Sequence, residues 1–126
     1  MVRLLVVDDF PAIREIIREY FERLGGGIKV VAEASNGAEA LEIAGSVDLD
    51  VILMDIRMPV MDGIEATRIL KQERKHRARI ITYSSYSTDQ IQEKALEVGA
   101  AIHMVKPFEF HDLYEVVQKI AAPVAG

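Results

Sequence analysis

Val51-Ile52-Leu53-Met54-Asp55 decides the fold: four apolar residues run without a polar break into one carboxylate. A short run that is apolar on both faces has to be covered on both faces, which is the habit of parallel strands in α/β proteins. The same pattern occurs on either side of it. Leu4-Leu5-Val6-Val7 runs into Asp8 and Asp9, and Ile102-His103-Met104-Val105 runs into Lys106. All three runs read as buried parallel strands. Residues just past the carboxyl ends of such strands form the ligand crevice of an open α/β sheet, so three acids and one lysine are expected to meet there.

Helical spacing fills the gaps between the runs. After the acidic pair, Pro11 suits a first helical turn, and Ile13, Ile16, Ile17, Tyr20, Phe21 and Leu24 recur at steps of three and four. Gly25, Gly26 and Gly27 end that helix, and Ile28 to Ala34 reads as a second strand. Ser35 and Asn36 are N-cap candidates for a helix from about Gly37 to Ala44 that turns Ala40, Leu41 and Ala44 to a core. Met58, Pro59, Asp62 and Gly63 make a loop, and Ile64 to about Lys75 returns to helical spacing. Arg79 to Tyr83 reads as a fourth strand, Ser84 to Thr88 as a hydroxyl-rich turn capping the next helix, and Gly99 as its end. A last strand, Ala101 to Val105, and a helix carrying Leu113, Val116, Val117 and Ile120 complete five strand-helix pairs. The expected fold is α/β: a doubly wound, flavodoxin-like (βα)5 domain with helices on both faces of a five-stranded parallel sheet in the order 2-1-3-4-5. That order places strands one and three side by side, so Asp8, Asp9 and Asp55 meet at the topological switch point.

Composition agrees with one domain over residues 1–120 and a tail at 121–126. Half of the 126 residues are apolar and 28% are charged, a balance that supports a core without disulfide or structural metal. The chain has no cysteine, no apolar stretch near the length of a membrane span, and acids too early for a signal peptide. A cytoplasmic protein without membrane contact is expected. The formal charge of −5 argues against non-specific nucleic-acid binding. The local basic stretch, Lys71, Arg74, Lys75, His76, Arg77 and Arg79, has no interleaved aromatics and reads as a solvated helix end.

Carboxylates crowded at one place repel one another, so a cation or a proton has to neutralise them. All-oxygen ligation without His or Cys suits a hard ion such as Mg²⁺, with Mn²⁺ able to substitute. Helix capping is the bland explanation for any one of these acids, but it does not account for three acids and a distant lysine at one sheet edge. Asp55, alone at the end of the central strand, is the candidate nucleophile toward a phosphoryl group, giving an acyl phosphate. Lys106 supplies positive charge from the other side, and Ser84 offers a hydroxyl to a phosphoryl oxygen. Lys106-Pro107 holds the lysine on a proline turn, where a cis bond is compatible with the sequence.

On these motifs the chain resembles the receiver domain of two-component response regulators, from about Arg3 to Ile120. The matching elements are Asp8-Asp9 after a strand, the segment Asp55-Ile56-Arg57-Met58-Pro59-Val60-Met61-Asp62-Gly63, Ser84, and Lys106-Pro107-Phe108. The resemblance implies an acidic pair, Asp8 and Asp9, that organises Mg²⁺, with Asp9 a direct ligand. It further implies Asp55 as phosphoacceptor and ligand, a metal-binding backbone carbonyl at Arg57, and Ser84 and Lys106 as phosphate-sensing hydroxyl and phosphate-pairing lysine. A histidine kinase or histidine phosphotransfer protein is the implied donor. His103 stands where receivers often carry Phe or Tyr, and reads as a modified switch, a pH-sensitive switch or a surface residue. Ser85 replaces a commonly smaller residue and narrows access, while Arg57 and Tyr86 flank the path of attacking water.

With only Ala121 to Gly126 after the last helix, output is expected through phosphorylation-dependent contact with a protein target. Ile91-Gln92-Glu93, the His103 position and Lys106-Pro107-Phe108 resemble the single-domain sporulation phosphorelay intermediate, and Val6-Val7-Asp8-Asp9-Phe10 resembles chemotaxis regulators. A receiver excised from a longer DNA-binding regulator is a third setting. The domain is expected to be a signalling phosphoacceptor rather than an enzyme, assisting only its own phosphorylation and dephosphorylation. A phosphatase of the haloacid dehalogenase type needs a second acid two residues after its nucleophile, and Arg57 stands there. A pseudo-receiver usually lacks the acids or the lysine, and here all are present.

Overall fold

A computed structural model describes residues 1–85, 88–106 and 108–121. Five parallel strands lie in the order β2-β1-β3-β4-β5, with β1 Val2–Val7, β2 Ile28–Ala34, β3 Val51–Asp55, β4 Arg79–Ser84 and β5 Ile102–Val105. The helices are α1 Pro11–Leu24, α2 Gly37–Ala44, α3 Gly63–Arg68, α4 Asp89–Val98 and α5 Phe110–Ala121. The expected doubly wound order is therefore the order found.

Alternation along each strand divides the core in two. Leu4, Val6, Val51, Leu53 and Ile81 pack with Ile17 and Phe21 of α1 and Leu113 and Val117 of α5. Leu5, Val7, Ile52, Met54 and Ile80 pack on the other face with Ala40 and Leu41 of α2 and Ala66 of α3. Both faces of β1 and β3 are covered, which is why their sequences contain no polar break. The run ending in Val105 is different. It forms an edge strand paired only with β4, its residues are half-buried, and Val105 is 48% exposed. The run there, broken by His103, reflects a strand at the rim of the sheet, not one covered on both sides. Part of the apolar stripe of α1 is likewise open, with Ile16 and Leu24 exposed.

Local signals set most helix ends. Asn36 caps α2 by accepting the Glu39 N–H at 2.9 Å, while Glu39 reaches back to the Ser35 N–H at 2.9 Å, so two orphan donors are satisfied reciprocally. Asp62 and Thr88 cap α3 and α4 through the N–H groups of Glu65 and Ile91. The helix expected to run to about Lys75 is regular only to Arg68 and continues as a π-turn, Ile69–Glu73. This wider turn keeps Leu70 fully buried while Lys71 donates to the carbonyls of His76 and Ala78 at 2.7 and 3.0 Å. The basic stretch is thus largely engaged with the fold: Arg74 donates to the Leu41 carbonyl, and Arg77 pairs with Asp48 and Asp50.

Two glycines test the backbone argument. A Cβ at Gly63 would lie 2.2 Å from the carbonyl oxygen of Asp55, whereas one at Gly25 meets nothing but is strained by φ of 68°. Gly63→Ala is expected to lower unfolding free energy by about 3 kcal/mol because rigid backbone has to move. Gly25→Ala should cost about 1–2 kcal/mol, the strain of a side-chain-bearing residue at positive φ alone. Urea denaturation of both variants measures the difference, and equal losses would show that the close approach at Gly63 is not the constraint.

Candidate functional site

Strand register brings the acids together. Val7 of β1 pairs with Met54 of β3, so Asp8, one residue on, comes level with Asp55 at the carboxyl edge. Carboxylate oxygens of Asp8, Asp9 and Asp55 all lie within 4.8 Å of one another. Asp55 in turn pairs with Tyr83 of β4, and the next β4 residue is Ser84. Lys106 follows β5, its backbone N–H donating to the Ser84 carbonyl at 2.9 Å. Its ammonium lies 3.9 Å from Asp8 Oδ2. Six positions named from the sequence, Asp8, Asp9, Asp55, Arg57, Ser84 and Lys106, therefore gather at one rim.

The three carboxylates differ in their surroundings. Asp8 is fully buried and both its oxygens are engaged: Oδ1 accepts the Phe10 N–H at 2.9 Å and Oδ2 the Tyr83 hydroxyl at 2.7 Å. Its backbone carbonyl accepts from the Arg14 guanidinium at 2.6 Å, which ties α1 to the end of β1. Asp9 is half-buried, and its Oδ1 is out of contact with solvent yet meets no hydrogen-bond donor. Asp55 is 7% exposed. Burial pushes its carboxyl up to about 6, with the Asp8 charge and, more weakly, Asp9 acting in the same direction. The Lys106 ammonium and the Arg57 backbone N–H oppose that shift.

This donor set fits Mg²⁺. The ion takes oxygen ligands, and a cluster of carboxylates with one undonated buried oxygen lacks positive charge, not further hydrogen bonds. The side chain of Arg57 is exposed, and with Asp9, Ile56, Met58, Pro59 and Asp62 it lines an open cleft of about 450 Å³ beside the acids. On the other flank, Ile13, Ile17, Phe108 and Phe110 join Tyr83 and Lys106 around a more apolar cavity of about 390 Å³, which exposed Ser85 also borders.

Ser84 is buried at 1% exposure. His103 is half-buried rather than superficial: its Nδ1 is 2.9 Å from the hydroxyl of buried Thr82, and burial lowers its pKa. Tyr86 and Pro107 lie outside the described residues, and with them the suggestions of a water-path residue and a cis Lys106-Pro107 bond. Tyr83 is the functional neighbour that motif reading passed over. Its signal was present: a phenol at the end of an otherwise apolar strand core, in need of a partner for its hydroxyl. Burial and the adjacent Asp8 charge hold that phenol well above its usual pKa, so it remains a donor.

Fold and rim together define a class, the doubly wound domains that carry an acid cluster and a lysine at the switch point. Residues 4–118 match the family model described as the response regulator receiver domain, and the chain belongs to that family. Aspartate phosphorylation within two-component systems is characteristic of the family, and its members bind Mg²⁺ at an acidic pocket. The chain is 38% identical to the chemotaxis protein CheY of Bacillus subtilis over 117 residues, covering 93% of this chain and 95% of that protein. It is 43% identical over 105 residues to a protein-glutamate methylesterase/protein-glutamine glutaminase of Hahella chejuensis, covering 82% of this chain but spanning only 30% of that protein. Among solved structures, a CheY-like receiver domain protein from Methanospirillum hungatei superposes with a TM-score of 0.85 at 25% identity, covering 96% of this chain and 94% of that one. No helix among the described residues is long and apolar enough to cross a membrane.

Burial of Asp55 beside the Asp8 charge predicts an unusual stability effect. Because folding raises the Asp55 carboxyl from 3.8 to about 6, its contribution is fully present below pH 4 and is lost as pH rises through 6. In metal-free protein, Asp55→Asn should therefore match the wild type near pH 4 and exceed it above pH 7. The expected gain is on the order of 1–2 kcal/mol, allowing for screening by water at the rim. Urea titrations with chelator at both pH values measure the gap; a variant less stable than wild type at pH 7 would contradict a net cost of the buried Asp55 charge.

Proposed function

We propose that this domain is a phosphorylation switch in which Asp55 accepts a phosphoryl group from the phosphohistidine of a sensor histidine kinase or a histidine phosphotransfer protein. The observation carrying this reading is the convergence of Asp8, Asp9 and Asp55 within 4.8 Å, with Lys106 at the same rim. An Asp55 carboxylate oxygen attacks phosphorus, the phosphorus–nitrogen bond of the donor breaks, and the departing imidazole keeps the electron pair and is protonated. Asp9 and Asp55, with the Arg57 backbone carbonyl, are the groups that would hold Mg²⁺, and Asp8 supports them from its buried position. Bound there, Mg²⁺ supplies the positive charge that offsets the carboxylates and the incoming phosphoryl oxygens. Lys106 adds its ammonium to that charge. Ser84, buried at the end of β4, would offer its hydroxyl to a phosphoryl oxygen and so distinguish the two states.

The output is a change in partner binding, carried by the face that α4, β5 and α5 build next to Ser84 and Lys106. The domain acts on its own phosphoryl group and on no separate substrate. Likeness to chemotaxis CheY across 95% of that protein favours a receiver working by protein contact. The 43% identity to a segment making up 30% of a methylesterase supports a second reading, a receiver that controls an attached effector.

Incubation with Mg²⁺ and acetyl phosphate or beryllofluoride should give a one-to-one adduct in wild type, seen by mass spectrometry or fluorine NMR, and none in Asp55→Asn. Asp9→Ala should weaken Mg²⁺ binding at least tenfold by calorimetry. Equal labelling of wild type and Asp55→Asn would reject the phosphoacceptor.

A further inference from the structure

We propose that Tyr83 is a positioning residue of the acid cluster: its hydroxyl holds the buried Asp8 carboxylate, which orients the metal site and leaves Lys106 free for the phosphoryl group. The inference rests on the reading of Asp8, Asp9 and Asp55 as a Mg²⁺ site and adds a residue to it.

Asp8 has no exposed surface, so protein donors must satisfy it. Phe10 N–H occupies Oδ1 at 2.9 Å. Two groups approach Oδ2, and distance separates their roles: the Tyr83 hydroxyl is at 2.7 Å, a strong hydrogen bond, while the Lys106 ammonium at 3.9 Å is beyond hydrogen-bond reach. Tyr83 therefore meets the need that Lys106 would otherwise have to meet. With an aliphatic residue at position 83, the nearest cation to Oδ2 would be Lys106. The ammonium would then be drawn toward Asp8, and its move to a phosphoryl group on Asp55 would strip a buried carboxylate of its donor. The phenol removes that conflict.

The ring acts as well as the hydroxyl. Lys106 Nζ lies 4.7 Å from the Tyr83 ring centroid, so the aromatic face supports the ammonium without binding it through a hydrogen bond. The ring itself cannot swing away, because Tyr83 is 1% exposed and Phe108 meets it edge-on at 5.9 Å. Two fixed donors on Asp8 also stop that carboxylate from rotating. Among the described residues, Oδ1 of Asp9 is a buried oxygen of the cluster without a donor, where a direct metal ligand is expected. Partners that orient a metal site from behind commonly contribute ten- to a hundredfold to its affinity.

Tyr83→Phe keeps the ring and removes only the hydroxyl. Calorimetric titration with Mg²⁺ should give a dissociation constant about tenfold weaker than wild type, with the cooperative melt of the metal-free protein retained. A second readout needs no metal. Proton NMR of wild type with chelator should show a slowly exchanging, downfield tyrosine hydroxyl proton that is absent in Tyr83→Phe and shifts upfield in Asp8→Asn. A Tyr83→Phe affinity within twofold of wild type, or no such hydroxyl resonance in wild type, overturns the proposal. If Tyr83→Phe does not fold, the wild-type resonance and its response to Asp8→Asn decide. The underlying metal reading fails separately, when Asp9→Ala and Asp55→Asn bind Mg²⁺ as wild type does.

Discussion

A carboxylate withdrawn from water costs several kcal/mol unless donors or opposite charge replace its hydration, and this domain withdraws two and places a third beside them. Asp8 is fully buried, Asp55 nearly so, and Asp9 stands half-buried at their side. Everything around the rim answers that constraint. Phe10 and Tyr83 donate to Asp8, Arg57 donates to Asp55 through its backbone, and Lys106 brings positive charge within 3.9 Å of Asp8. The balance is incomplete: burial and the Asp8 charge push the Asp55 carboxyl up, and an Asp9 oxygen is left without a donor. A cluster short of one positive charge is what the proposed Mg²⁺ and phosphoryl group would complete.

The rest of the fold serves to keep those charges from relaxing apart. Parallel pairing fixes Asp8 level with Asp55 and Asp55 opposite Tyr83. Both faces of β1 and β3 are packed, so neither strand can slide without exposing its core residues. The loop after β3 closes back on the strand through the Gly63 N–H to the Ile56 carbonyl at 2.8 Å, an approach with no room for a side chain. On the far flank, the Ser84 carbonyl anchors the backbone of Lys106. The lysine thus hangs from a fixed point, with its ammonium over the Tyr83 ring and 3.9 Å from Asp8.

Much of this was legible in the chain. Unbroken apolar runs identified β1 and β3 because buried parallel strands tolerate no polar alternation, and the Gly25 to Gly27 run, Asn36, Asp62 and Thr88 marked helix ends through local backbone chemistry. Five alternating strand-helix pairs pointed to a doubly wound sheet, for which 2-1-3-4-5 is one of the two common orders. The signals failed where burial depends on neighbours. Ile102 to Val105 looks like an interior strand but lies at the edge, and the helix after Gly63 gives way to a π-turn in which Lys71 donates to carbonyls 5 and 7 residues ahead. His103 was open to a surface reading until Thr82 came to lie beneath it.

Residue identity and spacing along the chain were sufficient for the fold, the family resemblance and the set of acids and lysine at the sheet edge, since each depends on local preference or on order. What the three-dimensional arrangement added is the division of labour among those acids. Which carboxylate is sealed, which is pushed up and which keeps an oxygen without a donor depends in large part on atoms brought from distant parts of the chain, as in the bond from Tyr83 to Asp8 across 75 residues. Hydrogen bonding and desolvation act over a few ångströms of space, and separation along the chain carries almost no information about them.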